Sequence, residues 1–118
     1  MAYVDGFLAA VPDEKKRDFV EHSRSFGDYL KKVGALSVVD CWGDDVPDGT
    51  LTSMPLAVKA KPGETVVFSW IVWPDKATRD AGMQKMIADP RLSPENNPMP
   101  FDGKRLIFGG FVPVAGEP

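Results

Sequence analysis

Two aspartates sit among residues that strands prefer. Asp5 lies within Tyr3-Val4-Asp5-Gly6-Phe7, and Asp40 within Val38-Val39-Asp40-Cys41-Trp42. Aspartate is depleted in strands, and a buried carboxylate must be hydrogen-bonded or protonated. Lining a cavity, either residue would be a general acid or base with a raised pKa. Facing solvent, or an arginine or backbone N–H across a dimer seam, it would be structural. His22 is the sole histidine, the side chain whose ordinary pKa lies near neutrality. It falls one helical turn before Phe26. In a cleft it is a candidate base; otherwise it marks the edge of the core. Cys41 sits beside Asp40. A nucleophilic thiolate needs a neighbouring cation or a helix N-terminus, and a negative neighbour works against it, so Cys41 reads as a buried inert thiol.

A second group lies in loop-like sequence. Met99-Pro100-Phe101-Asp102-Gly103-Lys104-Arg105 places two bulky apolar residues just before two cations. As a lid, Met99 and Phe101 would close over a ligand while Lys104 or Arg105 meets an anionic group, arginine with its two-pronged donor. As a clasp across a dimer, Phe101 would be the anchor and Arg105 would pair with a carboxylate such as Asp5 or Asp40. Trp42, Trp70 and Trp73, with Phe68, Phe108 and Phe111, supply aromatic surface on strands. That surface suits stacking of a flat ligand or packing in core and interface. Asp5, Trp42, Ser69, Trp70 and Phe101 are the ligand-contact candidates; Asp40, His22 and Arg105 are the catalytic ones. Asp44, Asp45 and Asp48 lack the alternating spacing of a calcium loop and read as a solvated turn. No metal and no cofactor is expected. There is no G-x-S-x-G elbow, P-loop or G-x-G-x-x-G run.

The elements that must position these residues follow from periodicity. Residues 2–11 read as a strand, with Val4, Gly6 and Leu8 on one face and Tyr3, Asp5 and Phe7 on the other. Pro12 ends it and Asp13 offers a helix cap. Phe19, Phe26, Leu30 and Val33 form one stripe of a helix over 14–33, stopped by Gly34. Residues 35–43 read as a second strand. A Pro- and Gly-containing excursion follows over 44–64, with a turn at Pro47-Asp48-Gly49 and a short strand at 56–60. Thr65 to Trp73 is a strand covered on both faces, because it is β-branched or aromatic almost throughout. A second helix over 76–88 turns Met83, Met86 and Ile87 to one side. Residues 90–104 form a loop, and 105–114 a last strand in which Gly109-Gly110 implies a bulge or a close backbone approach.

The order β-α-β, long loop, β-α-β predicts an α+β, ferredoxin-like βαββαβ domain, with a four-stranded antiparallel sheet and two helices on one face. The other face then needs a cover. Burying roughly 500 Å² of apolar sheet is worth on the order of 12 kcal/mol by area, before association costs. A homodimer packing sheet on sheet is expected.

The chain also resembles a small bacterial family, domain of unknown function 1428. The resemblance rests on Ala2-Tyr3-Val4-Asp5-Gly6-Phe7, Gly43-Asp44-Asp45-Val46-Pro47-Asp48-Gly49, Val67-Phe68-Ser69-Trp70-Ile71-Val72, Met99-Pro100-Phe101-Asp102-Gly103-Lys104-Arg105 and Gly109-Gly110-Phe111. It implies the dimeric α+β barrel architecture. It implies no reaction and carries over no catalytic residue.

Length and composition agree with a single domain over 1–118. The chain has 118 residues, 43% hydrophobic and 26% charged, with one cysteine. That size suits one core, and one cysteine leaves no intramolecular disulfide framework. A net charge of −3 argues against a nucleic-acid footprint. No apolar run reaches the length of a membrane span, and the first residues, Met1-Ala2-Tyr3-Val4-Asp5, lack the basic region of a signal peptide, so none is expected. A cytoplasmic homodimer that binds a small hydrophobic ligand, or serves structurally, is the leading expectation. The alternative is a cofactor-independent enzyme, monooxygenase- or isomerase-like, on a hydrophobic or aromatic metabolite, with Asp40 or His22 taking a proton and Arg105 steadying an oxyanion.

Overall fold

A computed structural model describes residues 1–118. Strand β1 (Tyr3–Pro12) leads through a 3₁₀ turn (Asp13–Lys15) into helix α1 (Lys16–Lys32), followed by β2 (Ser37–Trp42). A short helix, α2 (Met54–Ala57), precedes β3 (Glu64–Trp73) and helix α3 (Lys76–Ala88); β4 (Ile107–Phe111) closes the order. Further 3₁₀ turns occupy Pro90–Leu92 and Gly103–Arg105. The strands form one sheet in the order β2-β3-β1-β4, every neighbour antiparallel. This is the ferredoxin-like arrangement: each helix returns the chain past an intervening strand, as a split βαβ unit requires.

Register assigns the faces. Asp5 lies opposite Ile71 and Gly110, Phe7 opposite Ser69 and Phe108, and Ser69 opposite Asp40. One face therefore carries Tyr3, Asp5, Phe7, Ala9 and Val11, with Trp73, Ile71, Ser69 and Val67, and with Val38, Asp40 and Trp42. Helices α1 and α3 cover it. Leu30, Ala35 and Trp73 pack with Tyr3 and Ile71, joined by Phe26, Val33, Met83 and Met86. Phe19 packs with Ala9, Val11 and Val67. The predicted stripe of α1 thus points inward as a unit.

The opposite face carries Val4, Gly6 and Leu8, with Phe68, Trp70 and Val72. Near one end Val58, just after α2, buries Ala10 and Val66, and at the other end Val72 is buried too, but the middle is left open. Phe68 remains 46% exposed and Phe111 61%. The molecule measures 38 × 38 × 20 Å, a thickness that holds one helix layer and one sheet layer and no third. The expectation that β3 is covered on both faces fails for the single chain.

Other local expectations change for identifiable reasons. Residues 54–57 are helical rather than a short strand, because Ser53 caps the turn by accepting from the Leu56 N–H at 3.1 Å and Pro55 suits its first turn. Asp13 does not cap α1; its carboxylate accepts the Thr65 hydroxyl instead. The analogous Asp75 does cap α3, accepting from Thr78 N–H at 2.7 Å. Ile87 faces outward, 73% exposed, while Met83 and Met86 turn to the core. Gly109-Gly110 forms no bulge. Its register runs on continuously, and the close approach is to Tyr3, whose ring carbon would lie 2.7 Å from a Cβ at Gly110.

Candidate functional site

A cavity of about 270 Å³ lies between the helix-covered face of the sheet and α1, α3 and the 99–106 segment. Its origin is local. Strand alternation turns Phe7 and Ala9 inward, and alanine at position 9 leaves room that a larger residue would fill. Helical spacing puts Phe19, His22, Ser23, Phe26 and Leu30 on one stripe. Met83 and Met86 close the side under α3, and Met99, Phe101 and Leu106 close the end. Phe19 lies between its neighbours, 6.1 Å from the Trp42 ring and 6.0 Å from Phe101. The walls are apolar, and the polar side chains among them are His22, Ser23, Asp40 and Ser69.

Those polar groups are not equivalent. The Ser69 hydroxyl donates to Asp40 at 2.5 Å, across the β2–β3 pairing. His22 stacks against Phe26 with ring centroids 4.9 Å apart. Its Nε2 is buried and has no hydrogen-bond partner. Burial lowers the His22 pKa below its usual 6.5, opposed by the Asp40 carboxylate, which raises it. The imidazole is therefore neutral at neutral pH and keeps one nitrogen as an acceptor. His22 and Met99 also border a second, polar groove lined by Lys15, Asp18, Glu21, Ser25 and Asn97. They form the partition between that groove and the apolar cavity. No group of three or more His, Cys, Asp or Glu side chains is placed to hold a metal ion.

Comparison with known proteins bears on this architecture. Residues 2–103 match the model of a protein family described as "Protein of unknown function (DUF1428)". The chain belongs to the DUF1428 family. It is 50% identical over 117 residues to "Uncharacterized protein YbaA" of Escherichia coli strain K12, covering 99% of this chain and 100% of that protein. The YbaA of Shigella flexneri matches equally. Among solved structures, an uncharacterized NIPSNAP domain protein from Burkholderia xenovorans superposes with a TM-score of 0.58 at 19% identity, covering 98% of each chain. That likeness supports the fold.

Within this DUF1428 chain the matched stretch contains every cavity-lining residue except Leu106. The structure brings together Asp40, His22, Ser69 and Phe101 from the sequence-derived candidates, leaves Trp70 at the margin, and separates the others. Asp5 is 2% exposed and serves α3: it accepts from Trp73 Nε1 at 2.9 Å and from Arg79 at 2.8 and 3.2 Å. Arg79 in turn lies over the Tyr3 ring. Arg105 does not reach the cavity and does not pair with Asp5 or Asp40. It makes a two-pronged pair with Glu64 at 2.7 and 2.8 Å, bonds Asp102 at 3.1 Å and donates to the Lys59 carbonyl at 2.9 Å. Those bonds leave no donor pair for an oxyanion. Trp42 backs Phe19 beneath the Lys16 ammonium rather than facing the cavity. Trp70 borders the cavity from its place in β3, but its ring belongs to the open face beside Phe68, 5.5 Å away. Ser23, Met83 and Met86 enter the site unforeseen. Ser23 carried a signal, since it stands four residues after Phe19 on the inward stripe.

Proposed function

We propose that this protein is a homodimer in which each subunit binds one small hydrophobic ligand between its sheet and its helices, in a reducing compartment such as the cytoplasm. The carrying observation is the 270 Å³ cavity walled by phenylalanine and methionine with a few polar side chains at one side, the composition that small-molecule sites share. Its volume suits a molecule of one or two rings. The dimer is supported by the open sheet face with Phe68 and Phe111, since contiguous apolar surface of this kind marks association sites. Native mass spectrometry of freshly purified protein tests both parts at once. A dimer carrying extra mass released on denaturation is the expected result. A monomer at micromolar concentration refutes the dimer, and a chain that neither retains nor takes up apolar ligands refutes the binding reading.

A second reading is catalysis on the same ligand. The observation that favours it is the unpartnered Nε2 of His22 beside the Asp40–Ser69 pair, a neutral base within reach of a bound molecule. Arg105 has no part in it. If wild-type protein retains one chemical form of a ligand and His22→Gln retains another, the site turns its ligand over. Identical forms leave the protein a binder.

A further inference from the structure

The cavity has an asymmetry that narrows its ligand. Phe7, Phe19, Phe26 and Phe101 face it together with Met83 and Met86. Aromatic edges and faces select flat rings, and thioethers adapt to a ring and contact it favourably. No lysine or arginine lines the cavity, so nothing there compensates a buried anion. The carboxylate that does face it, Asp40, already accepts from Ser69. The group without a partner is the imidazole of His22, at the partition where the apolar cavity meets the polar groove.

We infer that the ligand is a flat aromatic molecule bearing an uncharged hydroxyl, a phenol, whose O–H donates to the imidazole of His22 while its ring lies among the phenylalanines and methionines. This rests on the cavity-binding reading and specifies the chemistry of its guest. The hydroxyl gives the buried Nε2 the partner it lacks within the chain, and an unmade buried hydrogen bond is costly. The ring excludes water from the same contact. The polar groove bordered by His22 and Met99 is the route by which the hydroxyl end stays hydrated until the ring is seated.

Donation by the phenol O–H requires the imidazole uncharged. The charged groups near His22 are Asp40 on β2 and, along its own side of the groove, Lys15, Asp18 and Glu21. The segment packed against it, Asn97-Pro98-Met99-Pro100, has none. Acidification below the lowered His22 pKa therefore ends donation by the phenol O–H, leaves only its oxygen to accept from the imidazolium, and weakens the hydroxyl's advantage. The bare ring has no such dependence.

The test compares four probes on the full-length protein: naphthalene, 1-naphthol, 1-naphthoate and 1-naphthylmethylamine. Binding is followed by tryptophan fluorescence and by calorimetry at neutral pH. The expected order places 1-naphthol about tenfold tighter than naphthalene, the size of one satisfied buried hydrogen bond. Naphthoate and the amine bind more weakly than the naphthol. In His22→Phe the naphthol advantage disappears while naphthalene still binds; His22→Gln, which keeps an acceptor, retains part of it. Acid titration of the wild-type protein weakens the same advantage without any substitution, so a poorly folded variant does not decide the matter. Equal binding of naphthol and naphthalene overturns the phenol inference and leaves the cavity reading standing. Preference for the carboxylate or the amine overturns it too. Binding of none of the four overturns the cavity reading together with the inference.

Discussion

At the scale of single residues, two arginine–carboxylate pairs do the holding. Asp5 is buried under Arg79 and Trp73 Nε1, so removing it strands a guanidinium and an indole N–H at the sheet–α3 junction. Breaking one side of a buried pair costs about 3–5 kcal/mol. Asp5→Ala is expected to lower the stability measured by urea unfolding toward that range; a loss below about 1 kcal/mol would show that Arg79 finds another partner. The Glu64–Arg105 pair gives a pH signature. The Arg105 hydrogen bonds hold the Glu64 carboxyl down to about 2, from an ordinary 4.5. A lowered folded-state pKa means that the pair's stabilisation is fully present above pH 4.5 and is lost as pH falls from there toward 2. Thermal melts across this range should show a decline that is shallower in Glu64→Gln, the remainder coming from Asp75, Asp80, Asp89 and Asp102, whose carboxyls are also held below their usual value. Neither partnership is readable from the chain, because Asp5 and Arg79, like Glu64 and Arg105, are far apart in sequence and meet only when α3 and the 103–105 turn pack against the sheet.

At the scale of elements, the helices carry two buried glycines with opposite expectations. Alanine is preferred to glycine inside a helix by about 1 kcal/mol. At Gly27 in α1 the added Cβ would meet Val38 at 3.7 Å, an ordinary contact, so Gly27→Ala should stabilise the protein by about 0.5–1 kcal/mol. At Gly82 in α3 it would lie 2.8 Å from the Trp73 ring and 3.2 Å from the Val33 carbonyl. Trp73 is fully buried and cannot retreat, so overpacking at about 1–3 kcal/mol outweighs the helical gain. Gly82→Ala should lower the melting temperature while Gly27→Ala raises it. The long, periodic elements were legible in the sequence: β1, α1, β3 and α3 lie within a residue or two of where alternation and the Phe19–Phe26–Leu30 stripe place them. Misreadings fell on short segments. The 54–57 turn depends on one capping serine, and the role of Asp13 depends on a threonine in another strand.

For the whole molecule, the unresolved demand is the open sheet face. Its two-layer thickness leaves Phe68 and Phe111 facing outward. If a second copy covers them, a charge there has to be desolvated on association. Phe68→Asp is expected to convert a dimer to monomers in light scattering coupled to gel filtration, with the far-ultraviolet circular dichroism unchanged. A dimer that survives this substitution places the interface elsewhere. Ligand binding offers an independent check: a molecule that binds only the folded chain raises the melting temperature with its concentration, and it should do so in the Phe68→Asp variant too, because the cavity lies on the other face of the sheet.

The sequence by itself determined the class of the domain, the order of its strands and helices, and the inward stripe of α1, because hydrophobic periodicity is a property of neighbouring residues and survives without knowledge of distant partners. It also singled out His22, Asp40, Ser69 and Phe101. What only the tertiary structure decided was which face of β1 the helices take, that Asp5 belongs to Arg79 and Arg105 to Glu64, and that His22 shares one cavity with Asp40 and Ser69. Those facts depend on register, where a shift of one residue exchanges the two faces of a strand. Register is set by the packing of the entire sheet at once.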